Sequence, residues 1–330
     1  MKISVRDAWL SALCYADIFD FPLTKEEVVY WAPRRILGRL RRADFSGLCQ
    51  TQTIGETTYW ALRGRTRLIA RRRRREICFR EKWQQATTAA RLLRWIPSIV
   101  CVGVTGGVAW KNADQADDID FLVIASKGTL WVTRFFSTLI LDACGFRRRP
   151  GDTDVQDRIC LNMFMSERTL SVPFHERDLF TAHEVLQMQL LWDRHNTFSR
   201  FIHANRWVKK YLPHAWGKKT QNSMRQLADK TLRQGRISLW PKSYHARRKT
   251  FFASRLLDLV LRFESCVLRW FERPAKIGQL WYMEKRRSTE VISDTVIRFH
   301  PVDARVWIKL KLASRLRKYN IPLDKIFYAS

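Results

Sequence analysis

Asp118 and Asp120 flank Ile119 at the mouth of an apolar run, Phe121 to Ala125. If that run is a strand, side chains alternate and the two carboxylates share one face. Like charges that close repel unless a cation lies between them. A divalent metal answers that need, and Mg²⁺ takes one or two carboxylates and completes its shell with substrate phosphates; Mn²⁺ is the alternative ion. A ten-residue spacer before Asp118 leads back to Gly106 and Gly107, which follow a second apolar run, Ile99 to Val104. Glycines let backbone N–H groups approach a phosphate closely. Carboxylate pair, metal and glycine turn together describe a site for a nucleoside triphosphate.

A third ligand is expected on a later strand, and the best strand is RICLNMFM, 158 to 165. Its inward polar residue is Asn162, whose amide oxygen can bind a metal without adding charge. Asp154 and Asp157, just before that strand, are the substitutes. Asp114 and Asp117 read as solvated loop residues. Lys111 or Lys127 could neutralise charge developing on pyrophosphate, and Trp110 could stack on a base or belong to the core.

The pattern of a Gly-Gly turn, a spacer and D-x-D entering an apolar strand resembles the DNA polymerase β-type nucleotidyltransferase superfamily. The resemblance implies that Gly106 and Gly107 hold the triphosphate and that Asp118 and Asp120 bind the catalytic metals. It also implies transfer of a nucleotidyl group to an acceptor, with release of pyrophosphate. The segments DIFDFPLTKEE, DDIDFLVI, LWVTR and RICLNMF are similar to uncharacterised bacterial proteins that place a winged-helix-like segment before such a domain.

Lys and Arg number 60 against 31 Asp and Glu, a formal charge of +29. That excess suits an anionic partner such as nucleic acid or nucleotide phosphates. It leaves a rival reading open, a nucleic-acid-binding or regulatory protein on a degenerate transferase fold. Seven cysteines with no C-x-x-C pair read as free thiols rather than a disulfide or zinc framework, and point to the cytoplasm. The N-terminus lacks a signal-peptide layout. The strongest apolar run, from Leu130, is broken by Arg134 and Asp142, so no membrane span is expected.

The elements that must position the site follow from periodicity. Residues 4–18 read as a helix, and Thr24 to Glu27 as a capping box opening a second. Ile36, Leu37 and Leu40 start a third among Arg34, Arg35, Arg39, Arg41 and Arg42. A hairpin follows about Gly55. This makes 1–64 a winged-helix-like module whose third helix would read a DNA groove. Residues 65–96 form a connecting helix, with Arg71 to Arg75 either clamping nucleic acid or simply solvated.

Residues 97–200 form the nucleotidyltransferase-like core, with strands at 99–104, 118–125 and 158–165 and helices at 129–143 and 176–192. Residues 201–330 are expected to be helical. One stripe there runs through Leu256, Leu259, Phe263, Val267 and Trp270, and a last helix carries Val306, Trp307, Leu310 and Leu312. The fold class is α+β, with a small mixed sheet.

Overall fold

Local signals place the N-terminal elements where the sequence puts them. Helix α1, Val5–Asp17, begins at Ser4, whose hydroxyl accepts from the Asp7 N–H. Strand β1, Leu23–Thr24, runs into α2, Lys25–Trp31, through the expected capping box. The Thr24 N–H donates to Glu27 Oε2 at 2.8 Å, and the Glu27 N–H returns to Thr24 Oγ1 at 3.3 Å. Strands β2, Cys49–Ile54, and β3, Thr57–Leu62, form the hairpin, and β1 completes an antiparallel sheet of order β1-β3-β2. A computed structural model describes residues 3–34, 45, 47–223, 267–284, 291–299 and 304–327. The expected third helix around Ile36, Leu37 and Leu40 lies outside the described residues.

The helix expected at 65–96 is α3, Arg67–Leu93, and its arginine run is not simply solvated. Arg72 and Arg75 are buried. Arg72 donates to both oxygens of Glu27 at 2.6 and 2.9 Å, and its guanidinium lies over Phe21 and Tyr59. Arg75 makes a two-pronged contact with Asp114 at 2.8 and 2.7 Å, and Arg71 reaches Asp20 at 2.7 Å. Three of the five arginines therefore fasten the N-terminal module and the 112–117 loop to α3, while Arg73 and Arg74 are exposed.

This division predicts unequal mutants. Arg72→Leu leaves the Glu27 carboxylate half-buried without its cation, an error costing about 3–5 kcal/mol. Arg74→Gln should stay within about 0.5 kcal/mol of wild type. Urea denaturation of the two variants checks the contrast; equal stabilities would return the whole run to solvent.

The second sheet is mixed, of order β7-β4-β5-β6-β9-β8, in which β7 is Gln189–Asp193, β8 Val291–Ile292 and β9 Val296–Arg298. Strand β4 is Ile99–Val104, β5 Ile119–Ala125 and β6 Ile159–Ser166. β4 and β5 are antiparallel, whereas β5 and β6 are parallel and joined over helix α5, Leu130–Ala143. The short helix α4, Gly106–Ala109, fills the turn after β4.

Two regions depart from the sequence reading. The helix expected at 176–192 is α6, Leu179–Gln187, and the chain then becomes β7, Gln189–Asp193. Met188 leaves the helical conformation, with ψ 126°, and Leu190 pairs with Gly103 on the edge of β4 instead of continuing the helical face. The region after residue 200 is not all helical either. Val291–Ile292 (β8) and Val296–Arg298 (β9) extend the sheet beyond β6.

The faces of this sheet have different partners. Ile119, Phe121, Val123 and Ala125 pack with α3, α5 and Met283 of the helix Glu272–Glu284. Leu122, Ile124 and Met165 face the N-terminal module, α6, α7 (Thr197–Ala204) and the helix Ala304–Lys318. That last helix buries Ile308, Leu312 and Leu316, while Val306 and Leu310 are exposed. Of the stripe through Leu256, Leu259 and Phe263, only Val267 and Trp270 are among the described residues, and both are exposed. The architecture is α+β, and no helix among the described residues is long and apolar enough to cross a membrane.

Candidate metal and phosphate site

Asp118 and Asp120 lie at the N-terminal mouth of β5, on the face turned toward α6 and the N-terminal module. The glycine turn comes to the same place because β4 and β5 are antiparallel neighbours: Val104 pairs with Phe121, and the Thr105 N–H donates to the Asp120 carbonyl at 2.9 Å. Gly106 has φ +63°, and a Cβ built on it would stand 2.4 Å from Asp120 Oδ2. Backbone conformation and close approach thus both demand glycine there. At Gly107 an added Cβ would meet only ordinary contacts with Ala113, at 3.5 Å and beyond.

Gly106→Ala should accordingly displace the Asp120 carboxylate and cost about 1–3 kcal/mol in backbone strain, whereas Gly107→Ala should be nearly neutral for stability. Thermal melts of the pair, with and without Mn²⁺, test this; a Gly106→Ala protein matching Gly107→Ala in both would show that the close approach has no consequence.

Register decides what stands beside the aspartates. In the parallel ladder Asp120 pairs with Cys160, and the register then shifts, so Leu122 pairs with Met163. Asn162 falls in that irregularity; it is buried, and its backbone carbonyl accepts from the Phe299 N–H at 3.0 Å. The residue adjoining Asp120 is therefore Cys160. Among the described residues, Asp118, Asp120 and Cys160 form a group whose ligand atoms all lie within 4.8 Å of one another.

Two carboxylates crowd this group. Burial, then the neighbouring Asp118 charge, pushes the Asp120 carboxyl up to about 7, against a smaller opposing pull from its hydrogen bond with Cys160. Glu184 on α6 adds to that rise and is itself pushed up to about 7 by burial. Burial and the same aspartates raise the Cys160 thiol. A protonated thiol is a poor partner for Mg²⁺, which prefers oxygen. The oxygens of Asp118 and Asp120 thus fit Mg²⁺ or Mn²⁺, with Cys160 as a neutral neighbour. Asp118 also accepts from Arg148 Nη1 at 2.6 Å.

The other candidates have different work. Asp114 receives Arg75, and Asp117 Oδ2 accepts from the Asp114 N–H at 2.8 Å, so both organise the loop before β5. Asp157 accepts from Lys82 at 2.7 Å, and Asp154 accepts from the Gln156 N–H at 3.2 Å. Neither joins the Asp118 group. Lys111 places its ammonium over the Phe79 ring, and Lys127 lies beyond the opposite end of β5. Trp110 is a packing residue: it stacks on Phe21 at 5.0 Å and meets Tyr15, Phe19 and Trp31 edge-on. Beside it His183 stacks on Tyr15 at 3.7 Å, and burial holds its imidazole well below the ordinary value.

Cys160, Glu184, Lys82 and the contact of Arg148 are absent from the sequence reading of the site. Cys160 sits in the segment read as a strand, 158–165, and Arg148 in the loop before it. Only register and loop closure single out the individual residues. Lys82 and Glu184 carry no motif.

Comparison of the chain with protein-family models, curated proteins and solved structures finds no match.

Proposed function

We propose that this protein is a metal-dependent nucleotidyltransferase, moving a nucleotidyl group from a nucleoside triphosphate to an acceptor. The observation that carries the reading is the contact between the Gly106 turn and the Asp120 carboxylate, with Asp118 alongside. That arrangement puts a backbone turn suited to phosphates against carboxylates suited to Mg²⁺. The bound ion would supply charge neutralisation on the transferring phosphorus and its leaving oxygens. Asp118 and Asp120 would hold it, the backbone of Gly106 and Gly107 would orient the triphosphate, and Arg75 and Lys82 would fix the loop between them.

The test is incubation of the protein with each labelled nucleoside triphosphate and Mg²⁺ or Mn²⁺, alone and with total RNA. Pyrophosphate release with label transferred to protein, RNA or a small molecule supports the reading and reports the acceptor. Label that binds without transfer supports the second reading, a nucleic-acid-binding or regulatory protein on a catalytically degenerate version of this fold. Two observations favour that alternative: Cys160, not a third carboxylate, adjoins Asp120, and the chain carries a net charge of +29.

A further inference from the structure

The loop between α5 and β6 carries three consecutive arginines that do different things. Arg147 and Arg149 both turn back onto Asp142, at 2.5 and 2.8 Å. Arg148 turns the other way. Its N–H donates to the Ile159 carbonyl at 2.9 Å, which holds it beside the start of β6, and its guanidinium meets Asp118 Oδ2 at 2.6 Å. Burial opposes its charge, but the hydrogen bond and charge of Asp118 outweigh this and raise its pKa. Its side chain remains 42% exposed, so it has room to turn.

A divalent cation on Asp118 and Arg148 on Asp118 are two positive charges competing for one carboxylate. A guanidinium displaced from Asp118 would stay beside the site, because the Arg148 backbone is held at the start of β6. Its planar fork matches phosphate oxygens as well as it matches carboxylate. We infer that Arg148 is a triphosphate-binding residue that exchanges partners: it pairs with Asp118 when no cation is bound there, and passes to a phosphate of the incoming nucleotide when the metal takes Asp118. This rests on the nucleotide-site reading above. It adds a property that reading does not require, namely that metal and triphosphate bind with positive coupling through one side chain.

The exchange gives Arg148→Met two effects of opposite sign. Mn²⁺ alone should bind more tightly than to wild type, about 3- to 10-fold, because a competing cation is gone. Inorganic tripolyphosphate, added at saturating Mn²⁺, should bind about 10- to 100-fold more weakly, because a charge-assisted contact is lost. Arg148→Lys should keep the competition but recover only part of the tripolyphosphate affinity, since an ammonium lacks the fork. Calorimetric titration of each probe reads all four quantities, and thermal melts verify that the variants are folded.

Weakening of both probes by Arg148→Met would make the residue a structural support. Strengthening of both would make it a plain counterion. Either result, or no change in either probe, overturns the exchange while leaving the metal site intact, provided Asp120→Asn abolishes Mn²⁺ binding. If wild type binds neither Mn²⁺ nor tripolyphosphate, the nucleotide-site reading fails and the role of Arg148 fails with it.

Discussion

Asparagine in place of Asp120 is expected to abolish nucleotide transfer and the response to Mn²⁺, and to raise stability at neutral pH. The carboxyl is pushed from 3.8 up to about 7 in the folded protein, first by burial and then by Asp118. Between those values the folded state holds a proton that the unfolded state has lost. Stability contributed by the protonated form is therefore complete below about pH 4, falls as pH rises through the window, and levels off above about 7. The asparagine side chain does not titrate, so the variant should gain on wild type across that interval, by about 2 kcal/mol or more at pH 8. Some slope should survive in the variant, because Glu184 is raised over the same range by burial.

Metal affinity should run the opposite way in wild type. It should rise with pH up to about 7, as the cation needs the ionised carboxylate, and then flatten. Melts from pH 4 to 8 with and without Mn²⁺ check both statements. A variant that keeps the metal-induced rise in Tm would take Asp120 out of the site.

Lys82→Met is expected to be the most destabilising single change near the site, at about 3–5 kcal/mol. The Lys82 side chain is 1% exposed. Its ammonium donates to the carbonyls of Gln115 and Asp117 at 3.0 and 2.6 Å and to the Asp157 carboxylate at 2.7 Å. One buried charge thus ties together the chain entering β5 and the chain entering β6, which deliver Asp118, Asp120 and Cys160. Methionine fills a similar volume but takes the ammonium from the Gln115 carbonyl and the Asp157 carboxylate, and leaves the Asp117 carbonyl only the Asp157 N–H at 3.3 Å. Asp157→Asn keeps an acceptor for the ammonium and should cost less. Denaturant titration of the two variants orders them, and Mn²⁺ titration should show weaker binding in Lys82→Met. A loss under about 1 kcal/mol for Lys82→Met would mean the clamp contributes little.

Much of the α+β architecture is legible along the chain because it rests on local rules. The Ser4 and Thr24 caps, the hairpin about Gly55 and the strands at 99–104, 119–125 and 159–166 each follow from a capping residue, a turn residue or an apolar run. The aspartate pair and the glycine turn are legible for the same reason, since alternation and backbone freedom are properties of short segments. The segment at 188–193 is not. Its apolar spacing suits a helix, and pairing with the β4 edge overrides it. The short strands β8 and β9 carry β-branched pairs, Val291-Ile292 and Val296-Ile297, about a Ser293-Asp294 turn, but only pairing with β6 places them in this sheet.

By itself, the sequence determined that two carboxylates face one way at the start of an apolar strand and that a glycine turn precedes them by a fixed spacer. Tertiary structure alone decided what surrounds them. Parallel register set Cys160 against Asp120 and left Asn162 at the irregularity. Long-range ion pairs sorted Arg71 to Arg75 into fasteners and exposed residues, and turned Arg148 toward Asp118 while its neighbours went to Asp142. The physical reason is range. Capping, alternation and glycine freedom act over a few residues, whereas strand register, burial of charge and the choice of ion-pair partner depend on segments far apart in the chain, whose approach no local pattern encodes.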